Sequence, residues 1–390
     1  MMYSIPKVVL MVESSRASGR ALLRGIAEYA HQRGPWAFSW ETGGLERAWP
    51  TLQEKATKGV ILRDVDKIKD VLSAGLPTVV IGHQHTEIPR VVNVVTYSAT
   101  IGRLAAEHLI GCGFRRFAFC GYAVTSSRNA PWSEARRISF QSHLAEQGFG
   151  ETPAFGLSMD RAMWERQLET AVRWLRSLSR PVGVFACNDD CGQRLMETCR
   201  LAGMTVPDEV GVIGTDNDQL LCELMDPPMS SIAMNFQRAG YEAAHALDRL
   251  MRKEPAVPLR IITEAMHIVA RRSTDFVAAD NPNLRKALTF IRDNSRRTIG
   301  VPDVAAASGV SRRSLEAAFR KHLGRTVHQE VHRVRSDQIA HLLLETGLSV
   351  AEIADALDFD FQHIGRYFES VKRIRPTAFR RAHGWRKLPY

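Results

Sequence analysis

The stretch that decides the organisation of this chain is Val301-Pro-Asp-Val-Ala-Ala-Ala-Ser-Gly-Val310, followed by Ser311-Arg-Arg-Ser-Leu-Glu-Ala-Ala-Phe-Arg-Lys-His322. Ala305, Leu315 and Phe319 fall at spacings that bury one face of each of two short helices. Gly309 allows a sharp turn between them, and Ser311 can cap the second helix. The pattern predicts a helix-turn-helix unit over residues 301–322.

A second unit of the same kind is expected over residues 349–373. Ser349 and Glu352 form an S-x-x-E capping box, in which each side chain bonds a backbone N–H at the start of a helix. Its second helix is expected over residues 361–373. Between the two units, residues 327–344 indicate a long amphipathic helix that would hold them at a fixed distance.

The charge distribution supports a nucleic-acid partner for this segment. Residues 281–390 carry 20 of the 52 Lys and Arg residues but only 11 of the 42 Asp and Glu residues, so nearly all of the net charge of +10 lies there. A basic domain beside a nearly neutral one is typical of nucleic-acid binding. The alternative is an ordinary helical bundle whose arginines are solvated.

About the last hundred residues resemble the arabinose-operon-regulator (AraC) family of bacterial transcription factors. The motifs are Val304-Ala-Ala-x-Ser-Gly-Val-Ser311, Leu315-x3-Phe319, Gly324-x-Thr326, Ile353-Ala354 and Phe368-x7-Pro376-x2-Phe379-Arg380. The resemblance implies binding to double-stranded DNA. The family usually has glycine where this chain has Asp358 and Arg373, which leaves open whether the second unit reads bases or contacts only phosphates.

The start of each second helix is where such a unit meets base edges. In the first unit, Ser311, Arg312, Arg313 and Ser314 would face the major groove, where arginine commonly pairs with guanine. In the second unit, Gln362, His363 and Arg366 would contact bases or phosphates. Phosphates would also be neutralised by the flanking cations, which are Arg320, Lys321, Lys372 and Arg375.

The first 275 residues alternate short apolar runs with amphipathic ones, which indicates parallel sheets covered on both faces by helices. The sequence indicates more than eight strand–helix units, which is more than one open sheet usually holds. We therefore expect two similar lobes that divide near residues 111–116. Two of the expected helices span residues 96–110 and 193–201. The predicted fold is a two-lobed α/β domain followed by an all-α double helix-turn-helix domain.

This part resembles the ligand-binding core of the lactose-repressor (LacI) family, which is related to periplasmic sugar-binding proteins. The resemblance spans residues 5–275. The motifs are Ala106-x-His108-Leu109-Ile110-x-Cys-Gly113, Phe185-Ala-Cys-Asn188-Asp189, Pro207-Asp-Glu-Val-Gly-Val-Ile-Gly214-x-Asp216-Asn217 and Gly240-x2-Ala243-Ala244. That family places its DNA-binding helices ahead of the first strand. Here six residues precede it, so DNA binding is expected from the C-terminal domain.

The order of the two halves resembles one type of regulator, the family that controls xylose operons, and Arg271-Arg-Ser-Thr-Asp-Phe276 at the junction resembles its counterpart there. We therefore expect an effector domain over residues 1–277, a linker over 278–283 and a DNA-binding domain over 284–390. The resemblance implies D-xylose or a related sugar as effector. Residues 14–19 lack the aspartate that this family has after its first strand, so an effector other than D-xylose is an alternative.

Ligands of such folds bind beyond the carboxyl ends of the strands. Asp189 and Asp216 follow strands expected to be adjacent, so both carboxylates should enter one cleft. The other expected ligand-binding residues are Asn188, Asn217, Trp132, Arg136 and Glu13. Such a set can bind a sugar, because carboxylates, amides and arginine form hydrogen bonds with its hydroxyls and an aromatic ring packs on its apolar face. Arg136 as a donor to sugar oxygens is implied by the resemblance.

Other roles for these residues stay open. Asp189 could cap a helix, Asp216 and Asn217 could form a turn, and Trp132 could belong to the core. His83 with His85, and Cys187 with Cys191, have the spacing of metal ligands, but solvated histidines in a turn and packed thiols are the favoured interpretations.

These patterns predict a sugar-responsive transcription regulator rather than an enzyme, with neither metal nor other cofactor. We expect a cytoplasmic homodimer that binds an operator, could contact RNA polymerase and does not enter the membrane. An α/β enzyme is disfavoured because no glycine-rich phosphate loop or G-x-S-x-G motif is present. A transport binding protein would need a signal peptide, and the first residues do not form one.

Overall fold

The computed structural model describes residues 5–42, 45–63, 68–82, 87–123, 130–158, 161–254, 258–276 and 281–383. His83, His85 and residues 278–280 of the expected linker lie outside these ranges. The strands are β1 (Lys7–Met11), β2 (Ala37–Trp40), β3 (Thr57–Arg63), β4 (Thr78–Ile81), β5 (Val92–Thr96), β6 (Phe117–Tyr122), β7 (Ala154–Leu157), β8 (Val182–Ala186), β9 (Val210–Asp216), β10 (Ser230–Met234), β11 (Arg260–Thr263) and β12 (Ala265–Val269).

The helices of the α/β part are α1 (Ala17–Arg33), α2 (Leu45–Leu52), α3 (Ile68–Ser73), α4 (Ser98–Gly111), α5 (Pro131–Glu146), α6 (Arg161–Ser177), α7 (Asp189–Ala202), α8 (Gln219–Leu224) and α9 (Phe236–Met251), and a short 3-10 helix follows at Arg272–Thr274. Those of the C-terminal part are α10 (Pro282–Asp293), α11 (Val301–Ser308), α12 (Arg312–Leu323), α13 (Val327–Glu345), α14 (Val350–Ala356), α15 (Phe361–Lys372) and α16 (Pro376–His383). In the described part of the chain, no helix is both long and apolar enough to cross a membrane.

Two six-stranded sheets form the α/β part. Their strand orders are β11-β5-β4-β3-β1-β2 and β12-β10-β9-β8-β6-β7, and every neighbouring pair is parallel except β10 with β12. Strands β8 and β10 are buried along their whole length, as expected for parallel strands with helices on both faces. The predicted fold class, two α/β lobes followed by a helical domain, is confirmed.

The expected division of the lobes near residues 111–116 is wrong. The chain crosses between the lobes at Tyr97, Asn235 and Glu264. Helix α4 packs on the second sheet, whereas α9 returns to the first lobe and packs on α1. An amphipathic pattern shows that a helix buries one face but not which sheet receives it.

The packing of α1 on α9 depends on two glycines. A Cβ at Gly25 would lie 1.9 Å from the carbonyl oxygen of Gln237, and a Cβ at Gly240 would lie 2.1 Å from that of Leu22. Such contacts with backbone are impossible, so only glycine lets the two helices approach this closely. This packing carries the chain back into the first lobe.

Several expected element boundaries differ from the structure. Thr96 belongs to β5, and the helix expected from that residue begins at Ser98. The helix expected over residues 193–201 begins at Asp189, because Asn188 caps it. Strands β5, β7, β10, β11 and β12 were not predicted. Their pairing with distant strands outweighs weak local signals.

In the C-terminal domain, α11 with α12 and α14 with α15 form the two predicted helix-turn-helix units. Ala305, Leu315 and Phe319 are buried as expected. Helix α13 joins the units, since Val327 and Val331 pack in the first core and Ile339 and Leu343 in the second; these residues stand near its two ends.

The predicted caps are confirmed. The Ser311 hydroxyl accepts a hydrogen bond from the Ser314 N–H at 3.2 Å, and Ser349 and Glu352 form the reciprocal capping box. Asp358 and Arg373 adopt φ of 53° and 59°, the left-handed conformation that glycine adopts most easily. The two departures from the AraC pattern therefore keep the backbone turn that glycine would make.

The two domains touch through ion pairs. Arg292 pairs with Asp275, and Arg285 Nη1 lies 3.0 Å from Asp208 Oδ2. A polar cavity of about 270 Å³ lies beside them, between the second lobe and helices α10 and α13. The helical domain thus rests on the lobe that carries Asp189 and Asp216.

Candidate functional site

A cavity of about 230 Å³ lies between the two lobes, at the carboxyl ends of both sheets. The first lobe contributes polar side chains that end or follow its strands, which are Glu13, Ser15, Arg16, Arg63, Thr96 and Thr263. The second lobe contributes Trp132, Arg136, Asn188, Asp189, Asp190, Asp216 and Asp218. This is the position predicted for a ligand in a doubly wound fold.

Asp216 and Arg136 form the charged centre of the second-lobe wall. Arg136 Nη2 lies 4.0 Å from Asp216 Oδ1, and Nη1 of the same arginine donates to the Cys187 carbonyl. Arg136 is 2% exposed, and its Nε has no hydrogen-bond partner among the described residues. Burying a guanidinium is costly unless opposite charge and hydrogen-bond acceptors face it, as the Asp216 carboxylate and the Cys187 carbonyl do here.

Asp216 ends β9 with φ of 110°, a conformation that costs energy outside glycine and is often found at functional sites. Burial raises its pKa to about 6, although the charges of Arg136 and Arg63 act in the opposite direction. Asp216 and Asn217 both adopt positive φ at the end of β9, and the carboxylate of Asp216 lines the cavity.

Asp189 lines the cavity as well, but the protein already uses both of its carboxylate oxygens. Oδ1 accepts from the Ser231 hydroxyl at 2.6 Å and Oδ2 from the Asp218 N–H at 2.7 Å. Burial and the charge of Asp216 raise its pKa well above the ordinary value. Asp189 therefore ties the segment that follows β9 to the start of β10. The helix cap suggested for it is made by Asn188, which accepts from the Cys191 N–H at 3.0 Å.

Asn217 does not line the cavity, contrary to expectation. Its side-chain oxygen accepts a hydrogen bond from Arg271 Nη2 at 3.0 Å, and its backbone N–H donates to the Ser231 hydroxyl. Two successive positive-φ residues, at 110° and 50°, turn the side chains of Asp216 and Asn217 to different sides. The sequence places the two side by side but does not give this turn.

Trp132 and Glu13 occupy the rim. Trp132 is half-buried, packs edge-on against Tyr122 with ring centroids 5.8 Å apart, and has the Arg136 guanidinium 4.8 Å from its ring centroid. It is thus neither a core residue nor fully open. Glu13 is exposed after β1 and accepts a hydrogen bond from Ser15.

Sequence reasoning missed the contacts that bridge the lobes. Arg16 Nε lies 2.8 Å from Asp190 Oδ1, and the Ala17 N–H at the start of α1 donates to Asp218 Oδ2 at 2.8 Å. A carboxylate is favourable at a helix N-terminus, so Asp218 of the second lobe also stabilises α1 of the first. The alternation Asp216-x-Asp218 was the available signal.

The thiols considered as metal ligands, Cys187 and Cys191, are free and buried. Cys191 Sγ lies 3.3 Å from the Cys120 carbonyl oxygen. Within the ranges given above, no group of three or more His, Cys, Asp or Glu side chains is placed to hold a metal ion.

The surface expected to contact DNA is exposed in both units. Ser311, Arg312, Arg313, Ser314 and Arg320 are exposed on and before α12, and Gln362, His363 and Arg366 on α15. Among the flanking cations, Lys372 Nζ lies 2.5 Å from Asp337 Oδ1, which makes it the weakest candidate for phosphate contact. Arg375 is highly exposed and lies 3.5 Å from Glu369.

Comparison with known proteins agrees with this architecture. Residues 106–274 match a periplasmic binding protein-like domain and residues 304–382 a helix-turn-helix domain. The xylose operon regulatory protein of Escherichia coli (strain K12) is 28% identical over 96% of both chains. That of Haemophilus influenzae is 25% identical over 96% of this chain and 98% of its own.

A solved structure of the xylose-binding transcription activator XylR superposes with a TM-score of 0.62 and 26% identity, covering 99% of this chain and 100% of the other. The similarity thus includes both domains and their order. The chain is therefore a DNA-binding transcription regulator that is similar over nearly its whole length to xylose operon regulators, with a periplasmic binding protein-like domain followed by a helix-turn-helix domain.

Proposed function

We propose that a sugar, D-xylose or a related pentose, binds in the cavity between the lobes and controls binding of the chain to its operator. The observation that carries this proposal is the wall formed by Asp216, Arg136 and Trp132, which brings a carboxylate acceptor, a guanidinium donor and an aromatic ring to one cavity. This combination suits a polyhydroxylated ring. The names of the relatives point to D-xylose.

A different sugar is the second candidate. Residues 14–19 lack the aspartate expected after the first strand, and Arg16 in that segment pairs with Asp190 instead of extending into open space. A changed first-lobe wall would alter which hydroxyls are recognised, while the second-lobe wall would still hold the ring.

Effector binding would favour the closed arrangement of the lobes, because the ligand contacts both walls. In a homodimer, the commonest symmetric assembly, closure would move the two helical domains relative to each other and so change affinity for the operator. We propose activation of transcription as the outcome, with RNA polymerase contacted from the bound dimer in the cytoplasm.

The proposed division of labour is an effector domain over residues 1–277, a linker over 278–283 and a DNA-binding domain over 284–390. Arg312 and Arg313 would read bases with Ser311 and Ser314 beside them. Gln362, His363 and Arg366 would contact the second half of the site, while Arg320 and Arg375 would neutralise phosphates. Asp216, Arg136, Trp132 and Glu13 would contact the sugar, with Asp189 and Asn188 supporting them.

Thermal unfolding of the full chain against a panel of pentoses and hexoses tests the proposal. A ligand at a hundred times its dissociation constant stabilises the domain it binds by about 2.7 kcal/mol. A selective rise of the melting temperature with D-xylose is expected. A rise with another sugar would keep the mechanism and change the effector. No rise with any sugar would overturn the effector class, while binding to DNA, measured separately, would stand.

A further inference from the structure

Phe361, the first residue of α15, is unusually exposed for an aromatic side chain. It leaves 60% of its surface accessible, whereas Phe359, Tyr367 and Phe368 of the same unit pack in or against its core. A single exposed apolar residue needs no explanation by itself. Its position at the start of the second recognition helix, beside the exposed Gln362 and His363, is what gives it meaning.

The helix face that carries Phe361 is open. Gly365 lies one turn further along, on the same face, and a Cβ there would meet no atom within 4 Å. The Phe361 ring is therefore followed by exposed helix backbone at Gly365, and a planar group can approach the ring and this backbone together. Arg366 is the next exposed side chain along the helix and can reach a neighbouring group.

The first turn of α15 is poor in positive charge, unlike that of α12. Helix α12 follows the neutral cap Ser311 and opens with Arg312 and Arg313. Helix α15 follows Asp360, whose carboxylate accepts from the Gln362 N–H at 2.7 Å and lies 3.2 Å from His363 Nδ1. The acidic cap weakens attraction to phosphates at the first turn of α15, so a contact of another kind is favoured at this point, while Arg366 and Arg375 further along would contact the phosphates.

A phenyl ring in the major groove has one apolar partner, the 5-methyl group of thymine. We infer that Phe361 packs against a thymine methyl group and makes the second helix-turn-helix unit selective for thymine at one position of its half-site. The capping Asp360 orients the first turn, and the open face at Gly365 admits the base edge. The inference rests on the proposed contact of the second unit with DNA and deepens it by naming the base and the atom recognised.

The test uses a duplex selected from random sequences by the full-length protein. Each thymine of the site is replaced singly by 2′-deoxyuridine, which removes only the methyl group, and affinity is measured by fluorescence anisotropy. For the wild-type chain we expect a loss of about fourfold at one thymine in the half-site of α15, the effect of exposing one buried methyl group. Phe361→Ala should bind the thymine and deoxyuridine duplexes equally at that position, and Phe361→Leu should keep part of the preference.

Leu224→Ala, at a 71% exposed position of the other domain, serves as the control and should bind like the wild type. The inference falls if no thymine in that half-site is sensitive to methyl removal in the wild-type chain, a result that does not depend on whether any variant folds. It also falls if the same thymine stays equally sensitive in Phe361→Ala. In either case Phe361 would contact a protein partner or no partner at all.

Discussion

The Arg271 guanidinium donates a hydrogen bond to the side-chain oxygen of Asn217 at 3.0 Å and another to the Met229 carbonyl at 3.0 Å. Asn217 directly follows Asp216 at the end of β9. Arg271 also lines the polar cavity between the domains, together with Arg296 and His341 of the helical domain. The residue next to the proposed sugar site is thus tied to the surface on which the DNA-binding domain rests.

Arg271→Met should uncouple the two functions. We expect sugar affinity to change little, because Arg271 does not line the sugar cavity, while the effect of sugar on operator affinity should fall. Coupling free energies of this kind are about 1–3 kcal/mol. Operator binding measured with and without sugar gives the coupling directly. Arg272→Met, at the exposed neighbour, should keep the full coupling, and an unchanged coupling in Arg271→Met would rule out this route.

Sugar affinity should weaken in acid. Burial raises the pKa of Asp216 to about 6, so lowering the pH from 7 to 5 protonates a carboxylate that would accept hydroxyl hydrogen bonds and face Arg136. About a tenfold loss of affinity is expected over this range, and titration calorimetry at several pH values measures it. Asp216→Asn should bind weakly with no such dependence. An equally steep dependence in Asp216→Asn would assign the titration to another group.

The ion pair between Arg16 and Asp190 should strengthen sugar binding by favouring the closed lobes. Their atoms Nη2 and Oδ1 lie 2.6 Å apart at the surface of the cleft, where such pairs contribute about 1 kcal/mol or less. Arg16→Ala should therefore lose up to about fivefold in sugar affinity, and the loss should shrink at high salt. Arg24→Ala, exposed on the same helix, is the control. A loss independent of salt would point to packing instead.

Replacing Arg312 and Arg313 by alanine should abolish specific operator binding. Each arginine that reads a base contributes about 1–3 kcal/mol, so the double variant should lose about a hundredfold or more between operator and random DNA. The sugar-induced thermal shift should persist, because both residues lie in the other domain. Arg200→Ala, exposed on α7, is the matched control. Retained operator specificity in the double variant would remove the first unit from base recognition.

Much of the helical domain could be predicted because its signals are local. Ser311, Ser349 and Glu352 act within three residues of their partners, and burial of Leu315 and Phe319 follows from spacing along one helix. The two left-handed turns at Asp358 and Arg373 were not predicted, although both residues stand where the resembled family has glycine.

The site was predicted less completely. Asp216, Arg136 and Trp132 were expected together, and the structure brings them to one wall. Arg16 and Asp218 were missed and Asn217 was misplaced. Each of these outcomes depends on the angle of a turn or on which lobe a helix joins, and neither is encoded in spacing.

By itself, the amino-acid sequence determined the order of the two domains, their classes and the DNA-binding role. The spacing of hydrophobic residues and the helix caps depend on a few neighbouring residues, and the net charge of a segment is the sum of the charges of its residues. Only the tertiary structure decided which groups meet. Arg16 and Asp190 stand 174 positions apart, and α9 packs on α1 of the first lobe, where Gly25 and Gly240 allow two helix backbones to touch. Contacts at such separation depend on the packing of the whole chain, which no local pattern contains.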